Sequence, residues 1–178
     1  MKKLILVSLI VFTIVTTSCV GVRAGANFAS ERYGYSYSDL AVVPKASNTN
    51  TSSETGFYVG AFLTDLDVTD KLQIQPEIDY LSVKDLDQIQ VPILAKYNFA
   101  DSFNAYAGPN FGFILDTPEG LNSFNLGLDL GVSYDINENF LIEARYDYGL
   151  SNLLENGDSD NYIKLSNFQV GIAYRFNK

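Results

Sequence analysis

Residues Phe124–Asp135 read FNLGLDLGVSYD, and after the four polar-rich residues Ile136–Asn139 the chain continues as Phe140–Gly149, FLIEARYDYG. In the first run Phe124, Leu126, Leu128, Leu130, Val132 and Tyr134 alternate with Asn125, Gly127, Asp129, Gly131, Ser133 and Asp135. In the second, Phe140, Ile142, Ala144, Tyr146 and Tyr148 alternate with Leu141, Glu143, Arg145, Asp147 and Gly149. A period of two puts alternate side chains on opposite faces of a strand, so each run is a strand with one apolar and one polar face. Two such runs joined by a short turn predict an antiparallel hairpin.

The same pattern extends outward in both directions. Val20–Phe28, Phe57–Thr64, Leu72–Leu81, Ile89–Phe99, Phe103–Leu115 and Ser166–Phe176 all alternate, which makes eight predicted strands. Pro76, Pro92 and Pro109 lie inside three of them. A proline cannot donate to a ladder, so bulges or local twists are expected at those positions.

Alternation alone does not say which face is inside, because a soluble calyx that binds a lipophile shows the same period. Three features favour an apolar exterior. The connections Asp65–Lys71, Ala100–Ser102 and Ile136–Asn139 are short, whereas Ala29–Gly56, Ser82–Gln88, Asp116–Ser123 and Leu150–Leu165 are mostly longer and more polar, the layout of an outer-membrane barrel with short periplasmic turns. Tyr and Phe cluster at the strand ends of the apolar face, as two interfacial girdles require. The polar face is rich in Gly, which suits the narrow interior of an eight-stranded barrel. The predicted fold is therefore all-β, an eight-stranded antiparallel up-and-down transmembrane barrel with both termini at the periplasmic end.

Composition narrows function by exclusion. The 178 residues carry 21 acids against 12 bases, a net charge of -9, so the chain lacks the basic footprint of a nucleic-acid binder. It has no His and one Cys, which removes Ser-His-Asp and Cys-His catalysis, His-ligated zinc and CxxC chemistry. No enzymatic turnover and no cofactor are expected. Lys2 and Lys3 followed by the apolar run Leu4–Val15 form a secretory leader, expected to span residues 1–18 with the barrel domain over 19–178. Its dozen apolar residues fall short of the ~20 a transmembrane helix needs. Cys19 is either removed or near the cleavage site, or acylated as part of a loose lipobox.

The blocks GVRAGANFA, TGFYVGAF, LQIQPEIDYL, IQVPILAKYNF, AYAGPNFGFIL, FNLGLDLGVSYDINENFLIEARYDYGL and FQVGIAYRF together resemble the PorT-like, porin-family outer-membrane β-barrel domain of Gram-negative bacteria. The resemblance covers essentially all of the mature chain and implies the barrel and its place in the outer-membrane lipid without implying any one activity. It also implies insertion by the barrel-assembly machinery, with Phe176 as the signal aromatic although Asn177 and Lys178 follow it.

The inward face is expected to carry Arg23, Lys96, Arg145 and Arg175 with Glu77, Asp79, Asp129, Asp135, Glu143 and Asp147. Charges of both signs in a narrow lumen must pair, since an unpaired buried charge is costly. A tight turn near Lys84–Gln88 would bring Glu77 diagonal to Lys96, and a tight turn at Ile136–Asn139 would set Asp129 opposite Arg145. The expected result is a plugged lumen in a structural, adhesive or assembly-accessory protein. The rival is a narrow pore, and acid-base work by Glu77 and Asp79 is a remoter use of the same groups. The acidic stretch Glu155–Asn161 departs from the EF-hand pattern and reads as a solvated loop. Tyr33, Tyr35 and Tyr37 recur at period two beyond the first strand and would extend a hairpin as an aromatic ledge for an extracellular protein or glycan. Asn48–Glu54 reads as a mobile low-complexity tract.

Overall fold

The computed structural model describes residues 20–37, 46–64, 66–84, 86–157 and 160–176. The expected leader and Cys19 lie outside the described residues. Among the described residues nine strands form, β1 Val20–Tyr37, β2 Ala46–Leu63, β3 Asp67–Thr69, β4 Leu72–Val83, β5 Leu86–Ala100, β6 Phe103–Leu115, β7 Phe124–Asp135, β8 Phe140–Gly149 and β9 Tyr162–Phe176. Eight of them close into an up-and-down barrel: the order runs β2-β1-β9-β8-β7-β6-β5-β4, and an antiparallel β2–β4 pairing over Phe57–Phe62 and Glu77–Ser82 seals the wall. The ninth, β3, is a three-residue flap on the start of β4, inside the connection expected to be a bare turn.

Among the described residues the molecule is inside out relative to a water-soluble fold. The buried set holds twenty polar or charged residues against thirteen apolar ones, while Val59, Ile78, Ile93, Leu130, Val132, Ile142 and Ile172 are among the exposed aliphatics. This excludes the lipophile-binding calyx, which needs the aliphatic face inward. Aromatic pairs bracket the exposed aliphatic band. Phe28–Phe168, Phe57–Tyr80 and Phe113–Phe124 sit towards one end, with Phe103–Tyr134, Phe140–Tyr174 and Tyr174–Phe176 towards the other. Phe103 and Phe113 are ten residues apart on β6. At ~3.3 Å per residue and a tilt of ~40° this spans roughly 25 Å, the height of an outer-membrane apolar band.

Strands β6, β7 and β8 have the limits read from the sequence, and four features differ. β1 continues through Tyr37 and β2 begins at Ala46, in one unbroken register from Val20↔Leu63 to Tyr37↔Ala46. Most of the stretch expected as the loop Ala29–Gly56, including the tract Asn48–Glu54, is therefore paired hairpin; the Ser, Thr and Asn residues of β2 read as loop by polarity but include no proline or charge run to stop a ladder. The connection expected at Ser82–Gln88 is shorter, because Val83 pairs with Leu86. β9 begins at Tyr162, four residues earlier than expected.

The prolines provide the fourth difference. Register is the same on both sides of Pro76, Pro92 and Pro109, from Gln75↔Leu94 to Asp79↔Gln90 and from Pro92↔Asn110 to Ala95↔Ala107, so no bulge forms there. The register shifts lie elsewhere, at Asp67/Thr69 and Asn98/Ala100. Pro76 and Pro109 flank Ile93 from opposite sides, and Pro92 lies beside it, so the missing donors are pooled in one short stretch of wall.

Candidate functional site

The lumen is layered. Arg23 on β1, Glu77 and Asp79 on β4, and Glu143 and Arg145 on β8 converge at mid-height because all five occupy inward positions of the alternation. Glu77 is the hub. Its Oε2 accepts from Arg23 Nη1 at 2.5 Å and from Arg145 Nη1 at 2.6 Å, and its Oε1 accepts from Gln75 Nε2 at 2.6 Å. Arg145 Nη2 donates to Glu143 Oε2 at 3.0 Å, while Arg23 Nη1 reaches Asp79 Oδ2 at 3.1 Å and Arg23 Nη2 donates to Gln169 Oε1 at 2.9 Å. The Nε of Arg23 also lies 2.7 Å from Glu143 Oε1, an ion pair without hydrogen-bond alignment.

Two tyrosines complete the cluster. The Arg23 guanidinium lies 4.7 Å from the Tyr58 ring centroid and the Arg145 guanidinium 4.5 Å from that of Tyr106. Tyr58 donates its hydroxyl to Glu143 Oε1 at 3.0 Å. Room for the Tyr58 ring comes from Gly25 and Gly171, which face each other across β1 and β9; a Cβ at either would collide with that ring or with opposing backbone. Neither tyrosine was among the sequence candidates. Both lie on the polar face of the alternation, and that placement is the signal that marks them.

The remaining charges fall into two further groups. Arg175 pairs with Asp135, which also accepts from Asn104 Nδ2 at 3.2 Å, near the end where Val20 and Phe176 sit. Lys96 lines a polar recess of about 210 Å³ at that end with Asp135 and Arg175. Its backbone partner is Gln73, and Glu77 lies four positions further along β4, so the expected Glu77–Lys96 contact does not form. Towards the other end, Asp147 Oδ2 accepts from Gln90 Nε2 at 3.3 Å and Asn167 Nδ2 at 3.4 Å. Asp129 stands opposite Asp147, and Arg145 stands opposite Gly131, which replaces the expected Asp129–Arg145 pairing. The reversal at this hairpin centres on Glu138, where Ile136 N donates to Phe140 O at 2.9 Å and Asn137 Oδ1 accepts from Asn139 N and Phe140 N.

Tyr33 and Tyr35 continue the inward face of β1 above the barrel wall. Tyr33 donates to the Glu31 carboxylate, which pushes its phenol up to about 12. Tyr37 takes the same register position further along, and the Glu155–Asn161 stretch lies only partly within the described residues. Phe176 closes β9 opposite Val20 and packs edge-on to Tyr174 at 5.0 Å.

Residues 84–155 match the family described as outer membrane protein beta-barrel domain. Over that stretch the chain matches the family, and as a whole it folds as an eight-stranded up-and-down β-barrel. Its fold is similar to that of the outer membrane protein OprG from Pseudomonas aeruginosa, at 16% identity and a TM-score of 0.50, with 91% of this chain and 97% of that one covered. Neisserial surface protein A is similar at 17% identity and a TM-score of 0.50, covering 88% of this chain and 97% of that one. No curated protein matches the sequence.

Proposed function

We propose that the barrel is a closed, non-conducting wall element of the PorT-like type that presents the β1–β2 hairpin to an extracellular protein or glycan. The observation that carries this reading is Glu77 held between Arg23 and Arg145, all three side chains at most 1% exposed. An eight-stranded barrel has an interior that side chains just fill, and this cross-brace occupies its middle. No catalytic role is assigned to Glu77 or Asp79, whose contacts are all with other lumen side chains.

The hairpin is the second half of the reading. β9 supports β1 as far as Gly34, while β2 leaves its last β4 partner at Phe57, so beyond Gly56 the stretch Ala46–Thr55 pairs with β1 alone among the described residues. With Val20 and Phe176 at the opposite, periplasmic end, the hairpin stands outside the cell, and insertion there by the barrel-assembly machinery would use Phe176. Two measurements test the reading. Proteoliposomes containing the chain should show no swelling in arabinose, and photo-crosslinkers at Thr51 and Ser53 in intact cells should capture a surface partner that replacing residues 35–48 by a short turn abolishes. Swelling at porin-like rates would favour the narrow pore instead.

A further inference from the structure

The end of the lumen beneath the β1–β2 hairpin differs from its middle. At mid-height the buried side chains are mostly charged or carboxamide, with Tyr58, Tyr106, Leu81 and Leu94 among them, whereas here Ala29, Val83, Ile114, Leu153 and Leu165 form a buried apolar cluster, larger than that of Phe62, Leu141 and Ala173 at the opposite end. The larger cluster floors a cavity of about 330 Å³ that opens between the loops. A cavity of ~150 Å³ already takes benzene, and small-molecule sites begin near ~300 Å³.

The walls are held in place by hydrogen bonds within the loops. Leu153 belongs to the β8–β9 connection and is drawn inward because its N–H donates to Ile163 O at 2.8 Å while its carbonyl accepts from Asn122 N at 2.7 Å. Leu121 and Leu154 form a further bridge between the two loops. The rim is acidic: Glu31, Glu54 and Asp116 surround the opening with Lys84 the one cation lining it among the described residues. Tyr33 fixes the Glu31 carboxylate, and Asp116 is held at φ 52°, a left-handed conformation uncommon for a residue other than glycine.

We propose that this cavity binds a small organic cation, an apolar body of one or two rings carrying an ammonium group. The body fills the leucine and valine floor, and the ammonium sits at the rim between Glu31 and Glu54. A neutral molecule of the same shape gains the floor alone, and an anion is repelled by a rim with three carboxylates against one ammonium.

The chain has no Trp, so an indole probe can be followed by its own fluorescence. The test titrates tryptamine, neutral indole and indole-3-acetate into the full chain in phosphatidylcholine nanodiscs, with empty discs subtracted. Tryptamine should bind saturably and at least tenfold more tightly than indole-3-acetate. Glu31→Gln with Glu54→Gln should weaken tryptamine about fivefold, the worth of two partly screened charges, and leave indole unchanged. Ala29→Phe or Leu153→Phe, each first checked for heat-modifiable mobility as a mark of folding, should remove binding of all three. Equal binding of the three probes, tryptamine affinity unchanged in both the acid and the filling variants, or no signal above empty discs would overturn the proposal.

Discussion

Asp129 and Asp147 stand directly opposite one another across β7 and β8, both facing the lumen and both almost fully buried. Like charges at a cross-strand position destabilise a sheet. From mid-height towards the hairpin end the lumen holds five buried carboxylates, those of Glu77, Asp79, Asp129, Glu143 and Asp147, against the guanidiniums of Arg23 and Arg145. The Arg cluster engages the other three, which leaves this pair to face each other. Asp129→Asn removes the repulsion and offers an amide to Asp147, so it should stabilise the barrel by up to ~1 kcal/mol. Unfolding midpoints in denaturant, read by gel mobility, check this; a lower midpoint for the variant would show Asp129 to be compensated.

Arg145 contributes in the opposite sense. Arg145→Ala strips Glu77 and Glu143 of a buried partner and the Tyr106 ring of its cation, at a cost of ~3 to 5 kcal/mol. Arg145→Lys should recover only part, because one ammonium cannot reach both carboxylates in the guanidinium's forked geometry. Equal midpoints for Arg145→Ala and wild type would remove the network from the stability of the fold.

How much of this was legible in the sequence depended on contrast between faces. β6, β7 and β8 alternate sharply and stop just before Asp116, at Asp135 and at Gly149, so their limits could be read residue by residue. β1 and β2 lose apolar partners beyond Phe28 and Phe57, and there the faces become polar on both sides while the ladder continues. The ten inward charges were legible because inward placement follows from period two. Who meets whom was not, since it depends on register: centring one hairpin on Glu138 was enough to exchange an Asp129–Arg145 pair for Asp129–Asp147. The Glu77–Lys96 expectation failed for the same reason. The Arg23–Glu77 contact crosses from β1 to β4 through the barrel interior, and no local spacing reveals it.

Gly171 offers a test of the tyrosine layer. A Cβ at Gly171 would collide with the Tyr58 hydroxyl, which donates to Glu143, and with the Ala24 carbonyl oxygen, so Gly171→Val should displace that ring, break the Tyr58–Glu143 hydrogen bond and cost about 1–3 kcal/mol as overpacking does. Tyr58→Ala in the same background should relieve part of the loss. A full additive loss in the double variant would mean that the two positions do not interact.

Tyr33 should report the hairpin through its titration. Its phenol is held near 12 by the bond to the Glu31 carboxylate, with burial and the nearby negative charge adding to it, against about 10 in an unfolded chain. A neutral group favoured in the folded state supports that state fully below the unfolded value. The support is lost as pH rises through the folded one, so the hairpin contact weakens between about pH 10 and 12. Alkaline difference spectra of wild type minus Tyr33→Phe should show one phenol titrating near 12, moving towards 10 in Glu31→Gln. A Tyr33 titration near 10 in the wild type would show that the contact does not form.

Closure of the lumen by the Arg23–Glu77–Arg145 brace is tested most directly by planar-bilayer recording of the purified wild-type barrel over a range of salt concentrations. The brace predicts a flat baseline at moderate voltage, with openings appearing only when Arg145→Ala breaks it. Steady, salt-dependent conductance from the wild type would contradict a plugged barrel.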